Sequence, residues 1–430
     1  MTLLEEMYRL PPDVLIKRKG SKFLFLNPLA PDWLVTNSNG RRVLELCDGK
    51  RTVKQIGKVV SRLVGRDATT EVQNLFAAIN SQSSLLSFVE TDQPVYHPHN
   101  LHIVHLNLTD KCNLNCIYCY AQERPAGKER LRYQDYLRVI DSINGLSKGA
   151  EIVLTGGEPL LSSHALDLAR YAKQNGNQVH ILTNGTLIDE ENASPIAELS
   201  DLIKVSLDGS TAEINDSLRG SGSFLRVMKA VDLLLRKNAA LRISMTVTKK
   251  NINDIENMVR KFGSLLAFAP LFKAGRAKVN KRLAVTGKEY YKALSSAKGV
   301  NPLSYLCSSL DTAKREKIMK CAIGDAEISI SDNGDVYPCH LLHVPQFRAG
   351  NVKEASLESI YLSSDILMSC RNLSVLEINR CLKCPIRFMC GGACRARAFY
   401  EKGRIDVSDD FCEYEKLAFI NGLFDLYSLD

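Results

Sequence analysis

Three closely spaced cysteines constrain this chain more than any other feature. Cys112, Cys116 and Cys119 follow a predicted strand at His102–Leu108, which places them in a loop at the C-terminal end of that strand. Three thiolates bind three irons of a four-iron cluster and leave the fourth iron without a protein ligand. Zinc is the weaker interpretation, because a structural zinc site requires four ligands. The group therefore predicts an iron–sulfur cluster with one open iron.

The chain contains 13 cysteines, which indicates disulfides in a secreted protein and metal or redox chemistry in a cytosolic one. Met1–Glu6 is acidic and lacks the apolar core of a secretory signal. The chain has no apolar run that is long enough for a transmembrane helix. We therefore expect a cytoplasmic protein without membrane contact. The net charge of +8 is scattered along the chain, so nucleic-acid binding is not expected.

Composition and pattern divide the chain into three expected domains, at residues 1–95, 96–277 and 278–430. Prolines in Gln93–His99 mark a linker at the end of the first domain. The last domain holds most of the cysteines in short, turn-rich segments, and small domains of this kind usually need metals or other staples. We therefore expect a cysteine-rich iron–sulfur domain at the C-terminus.

The first domain combines short strands with helices. We expect strands at Val14–Lys17 and Lys22–Leu26, joined by a turn. Helices should begin near Arg41, Thr52 and Thr70, where polar caps precede apolar residues at helical spacing. This order predicts a small winged-helix-like domain.

The second domain alternates strands with helices. The expected strands are His102–Leu108, Glu151–Thr155, Gln178–Leu182, Leu202–Leu207, Leu241–Thr248 and Leu265–Leu271. The expected helices are Tyr133–Ile143, His164–Gln174, Phe224–Lys237 and Ile252–Phe262. Repeated strand–helix units predict an α/β fold whose active site lies at the C-terminal strand ends. Because the tail does not supply two further units, we expect an open, partial (β/α)6 barrel.

The Cys-x3-Cys-x2-Cys spacing, with Tyr118 before the last cysteine, resembles the signature of the radical S-adenosylmethionine superfamily. The resemblance implies that S-adenosylmethionine chelates the open iron of a [4Fe-4S] cluster. One electron, from a flavodoxin- or ferredoxin-type donor, then yields methionine and a 5′-deoxyadenosyl radical. In such an enzyme the cofactor carries the chemistry and the protein supplies orientation.

Motifs after the later strands resemble the family's S-adenosylmethionine contacts. Glu158 lies in a Gly-Gly-Glu motif, where it is expected to accept a hydrogen bond from an ammonium group, and Asp208 lies in a ribose-contacting region. Arg219 matches an arginine that meets the methionyl carboxylate, although a solvated arginine is the alternative. Asn184 is family-like, but a turn explains it equally well. The expected contacts are Tyr118, Gly156, Gly157, Glu158, Pro159, Asn184, Ser206, Asp208 and Arg219.

The tail resembles the seven-cysteine SPASM domain, in which two auxiliary clusters are bound. The resemblance implies one cluster on Cys381, Cys384, Cys390 and Cys412, and another on Cys321, Cys339 and Cys394. The second set has three ligands, so Cys307 completes it or its iron stays open to a substrate thiolate. A zinc module is the alternative, since Cys-x2-Cys alone suits zinc. Cys47 is expected to be a core residue, and Cys370 has no motif.

The segment from Asn39 to Ile56 resembles a PqqD-like peptide-recognition element. In that family a leader peptide adds as a strand to an exposed sheet edge beside the third helix. DNA binding and dimerisation are the alternatives for a winged helix.

Together the three resemblances imply a maturase that crosslinks a ribosomally made precursor peptide. An open auxiliary iron favours a thioether over a C–C or C–O bond. A sulfatase-maturing oxidase is the second interpretation, opposed by the N-terminal element and by His340, where those enzymes typically carry Asp. Modification of a small-molecule cofactor is the third. A redox-sensing winged-helix regulator is the fourth, opposed by the motif at Gly156–Pro159, which a sensor does not need.

Overall fold

The computed structural model describes residues 3–83, 85–86, 101–123, 130–298, 300 and 317–425. The predicted linker at Gln93–His99 and Cys307 lie outside the described residues. Among the described residues, no helix is long and apolar enough to cross a membrane.

The N-terminal region contains two small sheets and three helices. Its strands are β1 (Met7–Arg9), β2 (Leu15–Lys19), β3 (Lys22–Asn27), β4 (Asp32–Thr36) and β5 (Asp48–Thr52). Its helices are α1 (Ser38–Leu44), α2 (Val53–Val64) and α3 (Thr69–Gln82). Strands β2, β3 and β4 form an antiparallel sheet, while β1 pairs with β5. The two predicted strands and three predicted helices are present within a few residues, and β1, β4 and β5 are additional.

Polar caps fix where two of these helices begin. The Asn37 side chain accepts hydrogen bonds from the amides of Asn39 and Gly40, both at 3.0 Å. Thr52 and Gln55 form a reciprocal capping box at the start of α2. Such caps satisfy amides that a helix leaves unpaired in its first turn.

Strands β3 and β4 are buried on both faces of their sheet, whereas β2 is largely exposed. One face packs Phe23, Phe25 and Leu34 against the N-terminal helices. The other face packs Trp33 and its neighbours against the C-terminal helix of the chain. The N-terminal region is therefore fixed to the cysteine-rich tail through a shared apolar core.

Six parallel strands form the middle of the molecule, in chain order. They are β6 (Ile103–Asn107), β7 (Glu151–Thr155), β8 (Gln178–Thr183), β9 (Leu202–Ser206), β10 (Leu241–Val247) and β11 (Leu266–Pro270). The helices around them are α4 (Tyr133–Leu146), α5 (Ala165–Gln174), α6 (Ala193–Leu199), α7 (Ala212–Arg219), α8 (Ser223–Arg236) and α9 (Ile255–Phe262). The predicted strands agree with these bounds to within one residue at almost every end. The parallel-sheet α/β core expected from the sequence is confirmed.

The tail adds three strands that the sequence analysis did not expect. They are β12 (Glu327–Ile330), β13 (Asp335–Tyr337) and β14 (Gly350–Asn351). Strand β12 pairs parallel with β6, and β13 and β14 follow antiparallel, so the sheet has nine strands. Strand β12 is one parallel strand beyond the six expected, and its Ile328 and Ile330 are fully buried in the central core. Because β13 and β14 run antiparallel, the described part of the tail adds no second parallel strand. The sheet order ends at β11 and β14, so the sheet is open, as expected.

Short helices make up the rest of the tail and the segment before it. They are α10 (Arg276–Val279), α11 (Gly287–Ser296), α12 (Leu357–Ser363), α13 (Asp365–Asn372), α14 (Asn379–Leu382), α15 (Arg387–Cys390), α16 (Arg395–Lys402) and α17 (Cys412–Asp425). Helix α17 carries Phe419, Leu423 and Phe424 into the core that it shares with the N-terminal sheet.

Removing the Phe419 ring should separate the N-terminal sheet from the tail. We expect Phe419→Ala to lower the free energy of unfolding by about 3–5 kcal/mol, because a buried aromatic ring is replaced by a cavity. Leu417→Ala on the same helix is the control, since Leu417 is 42% exposed and should cost less than about 0.5 kcal/mol. Chemical denaturation of both variants measures the difference. Equal losses would contradict the shared core.

Candidate functional site

The three cysteines of the first group meet in the loop after β6. Burial raises the pKa of Cys116 to about 11, and the thiols of Cys119 and Cys112 act in the same direction. The Cys112 thiol accepts hydrogen bonds from the Leu114 amide at 3.4 Å and from Asn184 Nδ2 at 3.7 Å. Metal binding deprotonates such thiols, and N–H donors then stabilise the thiolates. The donor set therefore fits an iron–sulfur cluster.

The two glycines of the Gly-Gly-Glu motif lie directly against the backbone of the cysteine loop. Gly157 N donates to Thr109 O at 2.7 Å, and Glu158 N donates to Lys111 O at 2.9 Å. A Cβ at Gly156, whose φ is +145°, would lie 2.4 Å from Thr109 O, and a Cβ at Gly157 would lie 2.2 Å from Lys111 O. Only glycine fits at both positions. The glycines thus hold the cysteine loop in place, a role that the sequence did not reveal.

Glu158 joins this loop to the next strand end. Its carboxylate is wholly buried and accepts hydrogen bonds from Thr183 Oγ1 and Asn184 N, both at 2.7 Å, and from Leu160 N at 3.1 Å. Burial raises the pKa of Glu158, and these hydrogen bonds oppose the rise. Pro159 begins the short 3-10 helix that follows. With three internal donors, the carboxylate positions the loop that carries it, and its contact with an ammonium group stays a prediction.

Asp208 is likewise engaged within the protein. Its carboxylate is fully buried, accepts a hydrogen bond from the Tyr118 hydroxyl, and accepts the Thr246 amide at 2.8 Å. Arg219 Nε lies 2.7 Å from Asp208 Oδ2 in a buried ion pair. The carboxylate thus orders Tyr118 and Arg219, and the ribose contact expected of this region stays a prediction. Ser206 ends β9 beside it and is partly exposed.

Arg219 keeps part of its guanidinium free. Burial lowers the pKa of Arg219, but Asp208, Tyr118 and Cys116 together outweigh this effect and hold the pKa above its ordinary value. Its Nη1 and Nη2 make no hydrogen bond to any described residue. A buried arginine with two unused nitrogens suits bidentate binding of a carboxylate. This geometry supports the contact that the family resemblance implies for Arg219.

A further loop supports the cysteines, and the sequence analysis missed it. Gly275, with φ of +52°, follows the last parallel strand, and a Cβ there would lie 2.3 Å from Cys119 O. Arg276 N donates to the same oxygen at 3.0 Å, and Asn280 Nδ2 donates to Ile117 O at 2.8 Å. A glycine five residues after the end of β11 was the available signal.

Cys321, Cys339 and Cys394 form a second group. Burial raises the pKa of Cys394 to about 11, and Cys321 adds to the rise. Burial also raises the pKa of Cys339, and the thiols of Cys394 and Cys321 contribute. Amides of Leu341 and Arg397 donate to Cys339 Sγ and Cys394 Sγ, both at 3.4 Å. These are the same N–H···S contacts that Cys112 has.

Cys381, Cys384, Cys390 and Cys412 form a third group. Burial raises the pKa of Cys412 to about 12, and the thiols of Cys384 and Cys381 add to it. Burial also raises the pKa of Cys390, and the thiols of Cys412 and Cys384 contribute to the rise. The cysteines of each predicted set therefore raise one another's pKa, and the assignment of each set to one cluster stays a prediction.

A buried arginine lies between these two sets. Arg395 is 1% exposed, and its Nη1 donates to Ile405 O at 2.8 Å and Val407 O at 2.9 Å. Its Nε and Nη2 are buried without a partner among the described residues. Its charge opposes the burial that raises the pKa of Cys321 in one set and of Cys381 in the other. A buried cation with unused donors fits anionic clusters on both sides.

Two further cysteines, Cys47 and Cys370, lie outside the three groups, and Cys370 packs in the same apolar cluster as Cys321, Cys339 and Cys394. Cys47 is buried in the N-terminal core, as expected. Cys370 is also buried, beside Gly324.

Comparison with known proteins identifies two domains. The Radical SAM superfamily matches residues 106–262, and the SPASM iron-sulfur cluster-binding domain matches residues 321–385. The chain is 27% identical over 343 residues to the AdoMet-dependent heme synthase of Methanosarcina barkeri, covering 71% of this chain and 95% of that protein. It is 28% identical over 296 residues to the subtilosin biosynthesis protein AlbA of Bacillus subtilis, covering 66% of this chain and 65% of AlbA. It is 28% identical over 322 residues to the mycofactocin maturase MftC of Mycolicibacterium smegmatis, covering 71% of this chain and 81% of MftC.

Two solved structures share the fold. The structure of anSMEcpe with bound AdoMet matches with a TM-score of 0.62 at 20% identity. The match covers 76% of this chain and 98% of the anSMEcpe chain. The structure of Streptococcus suis SuiB bound to precursor peptide SuiA matches with a TM-score of 0.55 at 16% identity. That match covers 94% of this chain and 99% of the SuiB chain. The chain contains a radical SAM domain followed by a SPASM domain. Its cofactors are S-adenosylmethionine, a radical-initiating iron–sulfur cluster and auxiliary clusters.

Adding a methyl group at Gly157 should displace the cysteine loop. We expect Gly157→Ala to lose about four irons per chain, because the new Cβ would overlap Lys111 O. Gly145→Ala is the matched control, since a Cβ at that helix position meets nothing within 4 Å. Iron analysis of both reconstituted variants measures the loss. Full iron content in Gly157→Ala would contradict the role given to this glycine.

Proposed function

We propose that this radical S-adenosylmethionine enzyme is a maturase that crosslinks a ribosomally made precursor peptide. When bound, S-adenosylmethionine and its cluster supply a 5′-deoxyadenosyl radical. The Gly-Gly-Glu loop, Asp208 and Gly275 hold the cysteine loop and Arg219 in place for that cofactor. A groove in the N-terminal region is the observation that carries the peptide assignment.

The groove lies along β4 and has a volume of about 670 Å³. Leu34, Val35 and Thr36 of β4 line it, and β4 pairs with β3 alone in the described part of the chain. An unpaired strand edge offers a row of backbone donors and acceptors to an added strand. The opposite side is formed by apolar residues of α2 and α3, which include Val60, Leu63, Val64, Leu75 and Ile79.

Exposed apolar side chains distinguish this groove from an ordinary surface. Leu63 is 72% exposed and Val64 is 52% exposed, on the rim of the groove. Exposed apolar residues that cluster in a groove mark a binding surface. A peptide that adds to the β4 edge would place its side chains against them. This supports a PqqD-like, leader-binding role for residues 1–95.

The relatives support a peptide substrate. AlbA and MftC act in the biosynthesis of subtilosin and mycofactocin, and SuiB has a solved complex with its precursor peptide. The match to SuiB covers 94% of this chain, against 76% for anSMEcpe. The linkage formed is a thioether or a C–C or C–O bond. An open iron beside Cys321 is the feature that favours the thioether. The flavodoxin- or ferredoxin-type electron donor stays a prediction.

Modification of a small-molecule cofactor is the second candidate, because the heme synthase match covers 95% of that protein. A small-molecule substrate would not require the peptide-sized groove in the N-terminal region. Incubation of the reduced enzyme with a precursor peptide or a heme-type tetrapyrrole separates the two. Conversion of the tetrapyrrole alone would replace the proposed function.

Loss of one cysteine of the first group should stop radical formation. Reconstituted protein should hold about ten to twelve irons per chain, and Cys116→Ala should hold about four fewer. Reduced wild type should release 5′-deoxyadenosine, which chromatography detects, and Cys116→Ala should release none. Cys47→Ala is the control and keeps its iron. Continued cleavage of S-adenosylmethionine by Cys116→Ala would refute the assignment.

A charge in the groove should weaken peptide binding. Burial of one leucine contributes about 1.5–3 kcal/mol, so Leu63→Asp should weaken precursor binding about tenfold or more. Leu225→Asp is the matched control, because Leu225 is 70% exposed on α8, outside the groove. Fluorescence anisotropy of a labelled precursor measures both affinities. Equal affinities in the two variants would remove the leader-binding role.

A further inference from the structure

Three acidic residues, Asp325, Glu327 and Glu415, line the cavity of the second cysteine group. Asp325 is paired with Lys320 and Glu415 with Arg397. The cavity has a volume of about 560 Å³, and Cys321, Cys339, Cys394 and Glu327 are among the residues that line it. The three thiols leave one iron of a four-iron cluster without a cysteine ligand. Glu327 is not among the cysteines assigned to the clusters, and its role is therefore open.

A tight loop brings Glu327 next to Cys321. Glu327 N donates to Ala322 O at 2.9 Å, and Gly324 N donates to Glu327 O at 2.9 Å. The chain therefore turns back on itself between Cys321 and the first residue of β12. Glu327 lines the same cavity as Cys321 and Cys339, and its charge raises the pKa of both thiols.

Two histidines bind one oxygen of this carboxylate. His340 Nδ1 lies 2.8 Å from Glu327 Oε1, and His105 Nε2 lies 3.4 Å from the same atom. The two imidazole rings pack against each other with centroids 4.3 Å apart. Oε2 makes no hydrogen bond to any described residue, and the Glu327 side chain is 16% exposed. One oxygen is thus fixed by histidines, and the other is free at the cavity wall.

We propose that Glu327 Oε2 is the fourth protein ligand of the auxiliary cluster held by Cys321, Cys339 and Cys394. The inference rests on the auxiliary-cluster assignment in the proposed function. His105 and His340 are positioning residues that orient the carboxylate. The contact involves no redox step, because a carboxylate oxygen binds an iron that already lacks a protein ligand.

Other side chains near this iron are less suitable. Cys370 is close to the loop, since a Cβ at Gly324 would lie 3.0 Å from Cys370 Cβ. Cys370 packs in the same apolar cluster as Cys321, Cys339 and Cys394 but is not among the residues that line the cavity. His340 Nδ1 is 3.9 Å from Cys339 Sγ but is used by Glu327.

A carboxylate ligand changes what this iron can do. Oxygen is a harder donor than thiolate, so the cluster should have a higher reduction potential than one with four cysteines. A carboxylate is also exchanged more readily than thiolate at such an iron. A substrate thiolate would then enter by displacing Glu327, and the iron would be protected until the peptide binds.

Pulsed electron paramagnetic resonance tests the ligand directly. The protein carries Cys112→Ala, Cys116→Ala and Cys119→Ala, so that the auxiliary clusters give the signal, and it is labelled with ¹³C-glutamate. We expect a ¹³C coupling in the dithionite-reduced protein that disappears in Glu327→Ala and persists in Glu377→Ala. Glu327→Cys should keep its iron and show a lower midpoint potential. An uncoupled wild-type signal, or a coupling that survives in Glu327→Ala, would overturn the proposal.

Three further outcomes identify what replaces it. A signal that changes in Cys307→Ala and not in Glu327→Ala would make Cys307 the fourth ligand and overturn the proposal. Loss of zinc rather than iron in Glu327→Ala would show that the histidine–glutamate trio binds a separate metal ion. Unchanged iron in Cys321→Ala would reject the auxiliary cluster itself, and hence that part of the proposed function.

Discussion

The parallel pairing of β6 with β12 is the contact on which the arrangement of the cysteine groups depends. Strand β6 leads at its C-terminal end into the loop of Cys112, while β12 begins with Glu327, a few residues after Cys321. Asn107 Nδ2 donates to Ile330 O at 3.0 Å and to Ser329 Oγ at 3.2 Å, which locks the two strands side by side. The loop of Cys112 and the group of Cys321 therefore lie at opposite ends of one strand pair. The paired segment is four residues long, and each residue of a strand spans about 3.3 Å.

The sequence predicted much of this fold because its signals are local. Strand ends, helix caps and the grouping of ten cysteines follow from spacing and period. The β6–β12 pairing could not be predicted, since Ile328 and Ile330 sit in a strand too short to show a period and pair with a partner more than two hundred residues away. The motifs also predicted which residue types are present, but not the direction in which each side chain points. Glu158 and Asp208 match ligand-contacting motifs, yet both point inward and hold the loops that carry Cys112 and Arg219.

The N-terminal region is integral to the enzyme. Its sheet is filled by its own helices on one face and by α17 of the cysteine-rich tail on the other. Leu26 and Trp33 of the sheet share a core with Ile386 and Met389, which lie among the cysteines of the third group. A peptide held at the edge of β4 is thus tied to the same tail that holds the auxiliary clusters, and this gives a physical reason for joining recognition and chemistry in one chain.

We propose that the radical formed at Cys112, Cys116 and Cys119 acts on a peptide held by the N-terminal groove. A precursor peptide in which each residue type in turn is deuterated tests this proposal, by mass spectrometry of the 5′-deoxyadenosine that is released. We expect deuterium from one residue type to appear in 5′-deoxyadenosine, and the Leu63→Asp enzyme to transfer much less at the same peptide concentration. Release of 5′-deoxyadenosine without deuterium from any labelled peptide would contradict it.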